Sequence, residues 1–232
     1  MKRLPVFVTV VLTTVLALGA AAQTRILVTE VSGVVERVDT NPDERLARGD
    51  WLPEGAEVQT GERSRVTLRV PGGSYLRLSG NSRIRLDNLG SPSGPTRGEF
   101  HISRGLSAVV VATDLDQRFV VTTPTSSAAV RGTVFFVGVD EAQNLGWVCG
   151  LAGEVEVEIS NQEETFAVTP NWGVWFEEGS GVIVAARELT EEERQSYYLL
   201  AGEAGVIGGL EAAEIEQHLE RAAEDRRVSD DY

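Results

Sequence analysis

"RVTLRVPGGSYLRLSGNSRIRL", residues 65–86, alternates apolar and polar positions through three short runs, which are separated by "PGGS" and "SGNS". An apolar residue at every second position belongs to a strand with one buried face, because successive side chains of an extended chain point to opposite sides. Gly and Asn in the two separators supply the positive-φ positions that tight turns require. Three half-buried strands are therefore expected, with Val66, Leu68, Val70, Leu76, Leu78, Ile84 and Leu86 facing a core. The same alternation places Arg65, Arg69, Arg77, Arg83 and Arg85 on the other face, where neighbouring strands would stack them into one cationic stripe. Residues 62–87 hold six arginines against Glu62 and Asp87, a local charge of +4. Like charges this close cost stability unless something anionic lies over them, so these arginines are candidates for binding an anionic partner.

Outward from this stretch the same texture continues in "ILVTEVSGVVERV", "RFVVTTP", "GTVFFVGVD" and "GEVEVEI". No helix-length periodic segments separate the runs, as a parallel α/β sheet would need, so an antiparallel or coiled all-β domain is expected over residues 23–187. From Leu189 the pattern turns helical. Thr190 and Glu193 stand at a capping-box spacing, three glutamates fill the first turn, and "GVIGG" at 205–209 divides the segment into a short helical hairpin. Residues 188–232 carry thirteen acids against four arginines, a local −9, so this acidic helical tail, or that of a second copy, is expected to screen the arginine stripe until an anionic partner displaces it.

At the other end, "MKRLPVFVTVVLTTVLALGAAAQ" has two basic residues, an apolar stretch from Leu4 to Leu18, and Ala20 and Ala22 at the spacing of a cleavage site. It reads as a secretory signal over residues 1–22, which makes the chain exported, to the periplasm or cell envelope or beyond, with no membrane span after cleavage; the alternative is an uncleaved anchor, since the apolar stretch is near the lower length limit of a span. Loss of Lys2 and Arg3 leaves 19 basic against 35 acidic residues, about −16. Phosphate binding needs a cationic surface, so nucleic acid is not an expected partner. The single Cys149 excludes an internal disulfide and, in "GWVCG" where a strand runs into a turn, reads as a small buried side chain.

Three segments in order, "RGDWLPEGAEVQTGERSRVTLRVPGGSYLRLSGNSRIRL", "FVVTTPTSSAAVRGTVFFV" and "WVCGLAGEVEV", resemble those of a FecR-type domain, the module of the bacterial iron-dicitrate sensor family. The likeness covers about residues 31–160, with "TFAVTPNWGVWFEEG" as a closing element. One departure is "PGGS", where the family more often has an acidic residue before Gly-Ser. The resemblance implies a compact β-sandwich or roll of short strands. It also implies a periplasmic role like that of FecR proper, which relays occupancy of an outer-membrane transporter to a cytoplasmic sigma factor. That relay needs a cytoplasmic helical domain ahead of a membrane helix. Only two charged residues precede the apolar stretch here, so a free-standing exported module is expected rather than the anti-sigma regulator itself.

"TTPTSSAAVRGTVFFV", residues 122–137, is the most specific of the three segments. Pro124 presets a turn, Ala128 and Ala129 allow close packing, Gly132 permits an uncommon backbone angle, and Thr133 opens a strand. Arg131 then serves the corner or a partner. Catalysis would need a nucleophile with a base in reach, and Ser126 and Ser127 have none suggested; His101 reads as beside a turn and His218 as part of the tail. "DLD" at 114–116 is too short for a calcium loop, and "RGDW" at 48–51 reads as a turn rather than an adhesion motif. The expected function is non-catalytic and needs no cofactor: a module that binds an envelope protein or anionic glycan in envelope sensing or scaffolding. The alternative is a self-associating structural component of the envelope, a homo-oligomer.

Overall fold

The structure is a computed structural model that describes residues 25–70, 73–89, 97–111, 118–130 and 132–202. The expected leader, "DLD" at 114–116, Arg131, His218 and the second helix of the tail lie outside the described residues. In chain order the strands are β1 (Arg25–Ser32), β2 (Val35–Arg37), β3 (Glu44–Arg45), β4 (Trp51–Pro53), β5 (Glu57–Thr60), β6 (Arg65–Arg69), β7 (Tyr75–Leu78), β8 (Arg83–Asn88) and β9 (Arg97–Val110). They continue with β10 (Arg118–Thr122), β11 (Ser126–Val130), β12 (Val134–Asp140), β13 (Leu145–Ala152), β14 (Val155–Ile159), β15 (Phe166–Val168), β16 (Trp172–Glu177) and β17 (Ile183–Glu188), and α1 (Glu191–Gly202) follows.

Pairing sorts these strands into two sheets. Sheet A has the order β4-β1-β6-β7-β9-β12-β13-β16-β17. Sheet B has the order β3-β2-β5-β8-β9-β10-β11-β14-β15. The long strand β9 belongs to both: its first half pairs with β8 and β10, its second half with β7 and β12. Gly105 makes the corner at φ 84°, and a Cβ there would strike Ser82. Every named ladder is antiparallel except β9 with β10, so the sheet network is mixed, within the all-β class that the sequence pointed to.

The two sheets face each other over one core, to which Ile26, Leu68, Leu76, Phe135, Val148 and Val174 come from sheet A and Val58, Ile84, Phe100, Phe119, Val121 and Val157 from sheet B. Phe100 and Phe119 stack at 5.8 Å between ring centroids. Each such side chain, when fully buried, contributes roughly 1.5–3 kcal/mol of transfer free energy. All seven apolar residues expected inward in 65–86 are at most 1% exposed. The separators turn as the sequence predicts, with Asn81 at φ 55° and Gly73 at φ 91°. "RGDW" is a turn in which the Asp50 carboxylate accepts the Ala47 N–H at 2.7 Å and Gly49 N–H donates to Val28 at 2.8 Å.

Three local expectations need correction. His101 sits inside β9, not beside a turn, because β9 runs unbroken through the segment that looked like a boundary. Cys149 is buried as expected, but in the middle of β13 rather than at a strand end. Ala128 packs in the core while Ala129, on the opposite face of β11, is exposed. Among the described residues no helix is long and apolar enough to cross a membrane.

Candidate functional site

Alternation gives each sheet an outer face, and strand register assembles rows across it. On sheet A one row reads Glu30, Thr67, Arg77, Ala108, Phe136, Cys149, Gly173, Arg187. Around its second half the outward residues are apolar: Leu106, Val134, Trp147, Leu151 and Trp175 join Phe136 and Cys149 in a second, smaller core. Gly138 and Gly173 keep this face flat, since a Cβ at either would strike the ring of Trp147 or Trp175.

Helix α1 covers that apolar half. It starts where the capping box predicts: Glu193 N–H donates to Thr190 Oγ1 at 3.2 Å, and Thr190 N–H donates to the Glu193 carboxylate at 2.7 Å. The same carboxylate accepts two bonds from Arg187, at 2.8 and 2.9 Å, and the Arg187 guanidinium lies 4.2 Å over the Trp175 ring. Arg187, helped by Thr190, thereby pulls the Glu193 carboxyl from its ordinary 4.5 to about 2. One turn on, Tyr197 stacks on Phe136 at 4.5 Å, and the Cys149 thiol donates toward its hydroxyl at 3.9 Å. Burial pushes the thiol up to about 12 and the Tyr197 hydroxyl well above its usual range. Cys149 is therefore an inert, protonated thiol in the folded chain.

The arginines do not form the single stripe that alternation suggested. Arg65, Arg69 and Arg77 face outward from sheet A, whereas Arg83 and Arg85 face outward from sheet B, because the chain changes sheet at the "SGNS" turn. Arg77, expected in solvent, is only 1% exposed. Arg69 lies 5.9 Å over the Tyr75 ring. Arg83 is bound to Glu57 at 2.7 Å and Arg85 to Asp87, and these acids raise both guanidinium pKa values. The positive charge of these two arginines is thus matched locally.

On sheet B the corresponding row reads Glu57, Arg85, His101, Thr122, Ser127, Glu158. These side chains are half-buried or exposed. His101 Nδ1 lies 3.0 Å from Thr122 Oγ1, and burial, then Arg85, holds the ring below its ordinary pKa. The row ends in a groove of about 430 Å³, lined among others by Thr122, Thr125, Ser127, Glu158, Gln162 and Glu164.

The groove walls are turns tied to one another. In the β10–β11 turn Thr123 Oγ1 accepts the Ser126 N–H at 2.9 Å and meets the Ser126 hydroxyl at 3.0 Å. Thr125 accepts the Ser160 N–H on its carbonyl at 2.7 Å and the Gly179 N–H on its hydroxyl at 2.6 Å. Gln162 donates to the Gly181 carbonyl at 2.9 Å. Pro124 and the neighbouring hydroxyls thus do the corner work expected of them, and Gly132 takes the positive φ of 61°. Ser126 is spent within its own turn, and among the described residues the one histidine, His101, engages Thr122 instead. Nor do the described residues include a group of three or more His, Cys, Asp or Glu arranged to hold a metal.

Neither the sheet B row nor the aromatic face of sheet A could be assembled from the sequence. Alternation assigned each residue a face, but which strands lie side by side depends on partners up to dozens of residues away.

Against this geometry, the family model described as "FecR protein" matches residues 56–156. No curated protein matches. Two crystal structures of a "putative anti-sigma factor" from Parabacteroides distasonis share the architecture. One, at 20% identity and a TM-score of 0.51, covers 61% of this chain and 63% of its own. The other, at 18% identity and a TM-score of 0.52, covers 63% and 64%. The chain thus spans less than two thirds of either, and at such identity the likeness is one of fold. The match falls on β5 to β14, the strands that build both the β9 corner and the "TTPTSS" turn, so residues 56–156 are a FecR-type domain.

Proposed function

We propose that the chain is a non-catalytic, exported sensing or scaffolding module, and that its FecR-type sandwich binds an envelope protein along the polar row and groove of sheet B. The observation that carries this reading is the groove beside the most family-specific turn. Its walls are cross-linked by backbone and side-chain hydrogen bonds, while its lining presents hydroxyl, amide and carboxylate groups to a partner. A preorganised polar surface of this kind loses little entropy on binding. Along the row, Glu57 and Arg85 are already paired with Arg83 and Asp87, which favours specificity over raw affinity.

The test is capture of envelope proteins by the wild-type chain and by Ser127→Trp, which fills the groove from a half-buried outward position. Partners retained by the wild type and lost from the variant support the reading. Identical capture by both contradicts it, and capture of polysaccharide alone moves the ligand to a glycan.

A second reading has its own observation. Strand β17 pairs only with β16 among the described strands, and Val182 and Val184 beside and within it are 52% and 57% exposed. A bare apolar edge strand is a template for pairing with a second chain. Light scattering at several concentrations separates the two: self-association abolished by Val184→Lys supports an assembling envelope component, and a monomer throughout removes it.

A further inference from the structure

We propose that the β4 end of sheet A carries a second binding surface, independent of the groove of sheet B, and that it takes an acidic polysaccharide whose sugar rings bear carboxylates. Strand register lines up Trp51, Leu27, Arg69, Tyr75 and Val110 across β4, β1, β6, β7 and β9. All five face away from the sandwich core, because their neighbours Leu52, Ile26, Leu68, Leu76 and Val109 point into it. Trp51 is 57% exposed, an unusual setting for a side chain with so much apolar area. Leu27, Tyr75 and Val110 are half-buried, and Arg69 is exposed with its guanidinium 5.9 Å over the Tyr75 ring. The row therefore presents two aromatic side chains, with an aliphatic side chain and a guanidinium between them, on the face of a sheet.

Size and charge select the occupant. On β6 and β7 the next outward positions, Thr67 and Arg77, are 2% and 1% exposed, so the accessible band there is one residue wide. On its other side Arg69 and Tyr75 are the last register pair before the β6–β7 turn. From β4 to β7 the band is about 14 Å long and about 7 Å wide, on the order of 100 Å², against roughly 800 Å² per partner in a stable protein interface. Small molecules favour concave sites, which a sheet face is not. A polymer one ring wide fits. The C–H faces of sugar rings stack on the electron-rich faces of aromatic rings, and guanidiniums bind carboxylates through paired hydrogen bonds. Besides Arg69, the guanidiniums here are Arg25, two positions from Leu27 on the same face of β1, and Arg48 in the turn before β4. Among the described residues none forms an ion pair with these three. The nearby Asp50 carboxylate is held by the Ala47 N–H. Arg65 and Arg77 have partners of their own and take no part.

The test measures binding of a defined probe, a short alginate oligosaccharide with a fluorescent end label, to the full chain by anisotropy. Trp51, Arg25 and Arg69 are all exposed, so their exchange leaves the core untouched. The expected result is binding by the wild type that weakens at least about tenfold in Trp51→Ala and stays within about threefold in Trp51→Phe, which keeps a ring. Arg25→Gln combined with Arg69→Gln should also cost at least about tenfold, and 1 M salt should weaken the wild type by a similar factor as it screens exposed charges. Ser127→Trp should bind the probe like the wild type, which keeps this result separate from the fate of the sheet B groove. No binding of the probe, binding unchanged in Trp51→Ala, or a neutral cello-oligosaccharide bound as tightly as alginate would overturn the proposal. Capture of a protein that depends on Trp51, with no alginate bound, would overturn it equally and make the surface a protein site.

Discussion

The two outer faces of the sandwich are built by the same alternation and meet opposite fates. Sheet A turns Phe136, Trp147, Cys149 and Trp175 outward and needs α1 to cover them, whereas sheet B turns Glu57, Arg85, His101, Thr122, Ser127 and Glu158 outward and needs no cover. The difference lies in how charge and apolar area are satisfied. On sheet B Arg83 has its acid in the next strand and Arg85 in its own. On sheet A the apolar half is closed by an element more than fifty residues along the chain from Phe136. One face is self-contained; the other is completed by the helix.

That contrast is broken most forcefully by Phe136→Ala, which removes the ring beneath Tyr197 and leaves a cavity under the helix. A loss of about 3–5 kcal/mol in urea unfolding is expected. A cost under about 1 kcal/mol would mean that α1 does not seal this face.

Next comes Glu193→Gln, which weakens the cap and the bidentate pair with Arg187. About 1 kcal/mol is expected, since the pair is partly exposed and screened by solvent. The wild type should add a pH signature. The Glu193 carboxyl is depressed in the folded chain, so its contribution is whole above 4.5 and is lost as pH falls from 4.5 toward 2. Emission from Trp147 and Trp175 should shift to the red over that window as the helix loosens, and the step should be absent in Glu193→Gln. An identical profile in both chains would assign the transition to other carboxylates.

The smallest effect belongs to sheet B. Arg85→Ala removes an exposed ion pair with Asp87 and should cost less than about 1 kcal/mol. A larger loss in thermal unfolding would show that the polar row supports the fold and is not merely presented by it.

Much of this was legible in residues 65–86, where period-two alternation and two turn signals fixed the inward residues, and in Thr190 and Glu193, whose spacing fixed the start of α1. Both are local signals. The arginine stripe failed because alternation within a strand cannot tell which sheet the next strand joins: the chain crosses from sheet A to sheet B between Arg77 and Arg83, and Arg77 is buried. His101 failed for a related reason. Its neighbours Arg85 and Thr122 come from strands sixteen and twenty-one residues away, so the row that gives it a chemical setting exists only in the folded register. The groove beside Pro124 was visible as a corner but not as a cavity, because its other wall comes from residues 158–165.

The most direct test of the division between a covered and a bare face uses the single cysteine, Cys149, which lies under α1 against Tyr197. Its rate of alkylation at pH 8 is measured in the folded wild type, in Tyr197→Ala and in Ser127→Trp. The account predicts near-complete protection in the wild type and in Ser127→Trp, and labelling at least about tenfold faster in Tyr197→Ala, corresponding to about 1.4 kcal/mol of lost helix docking. Rapid labelling of the wild type, or no acceleration in Tyr197→Ala, would contradict it.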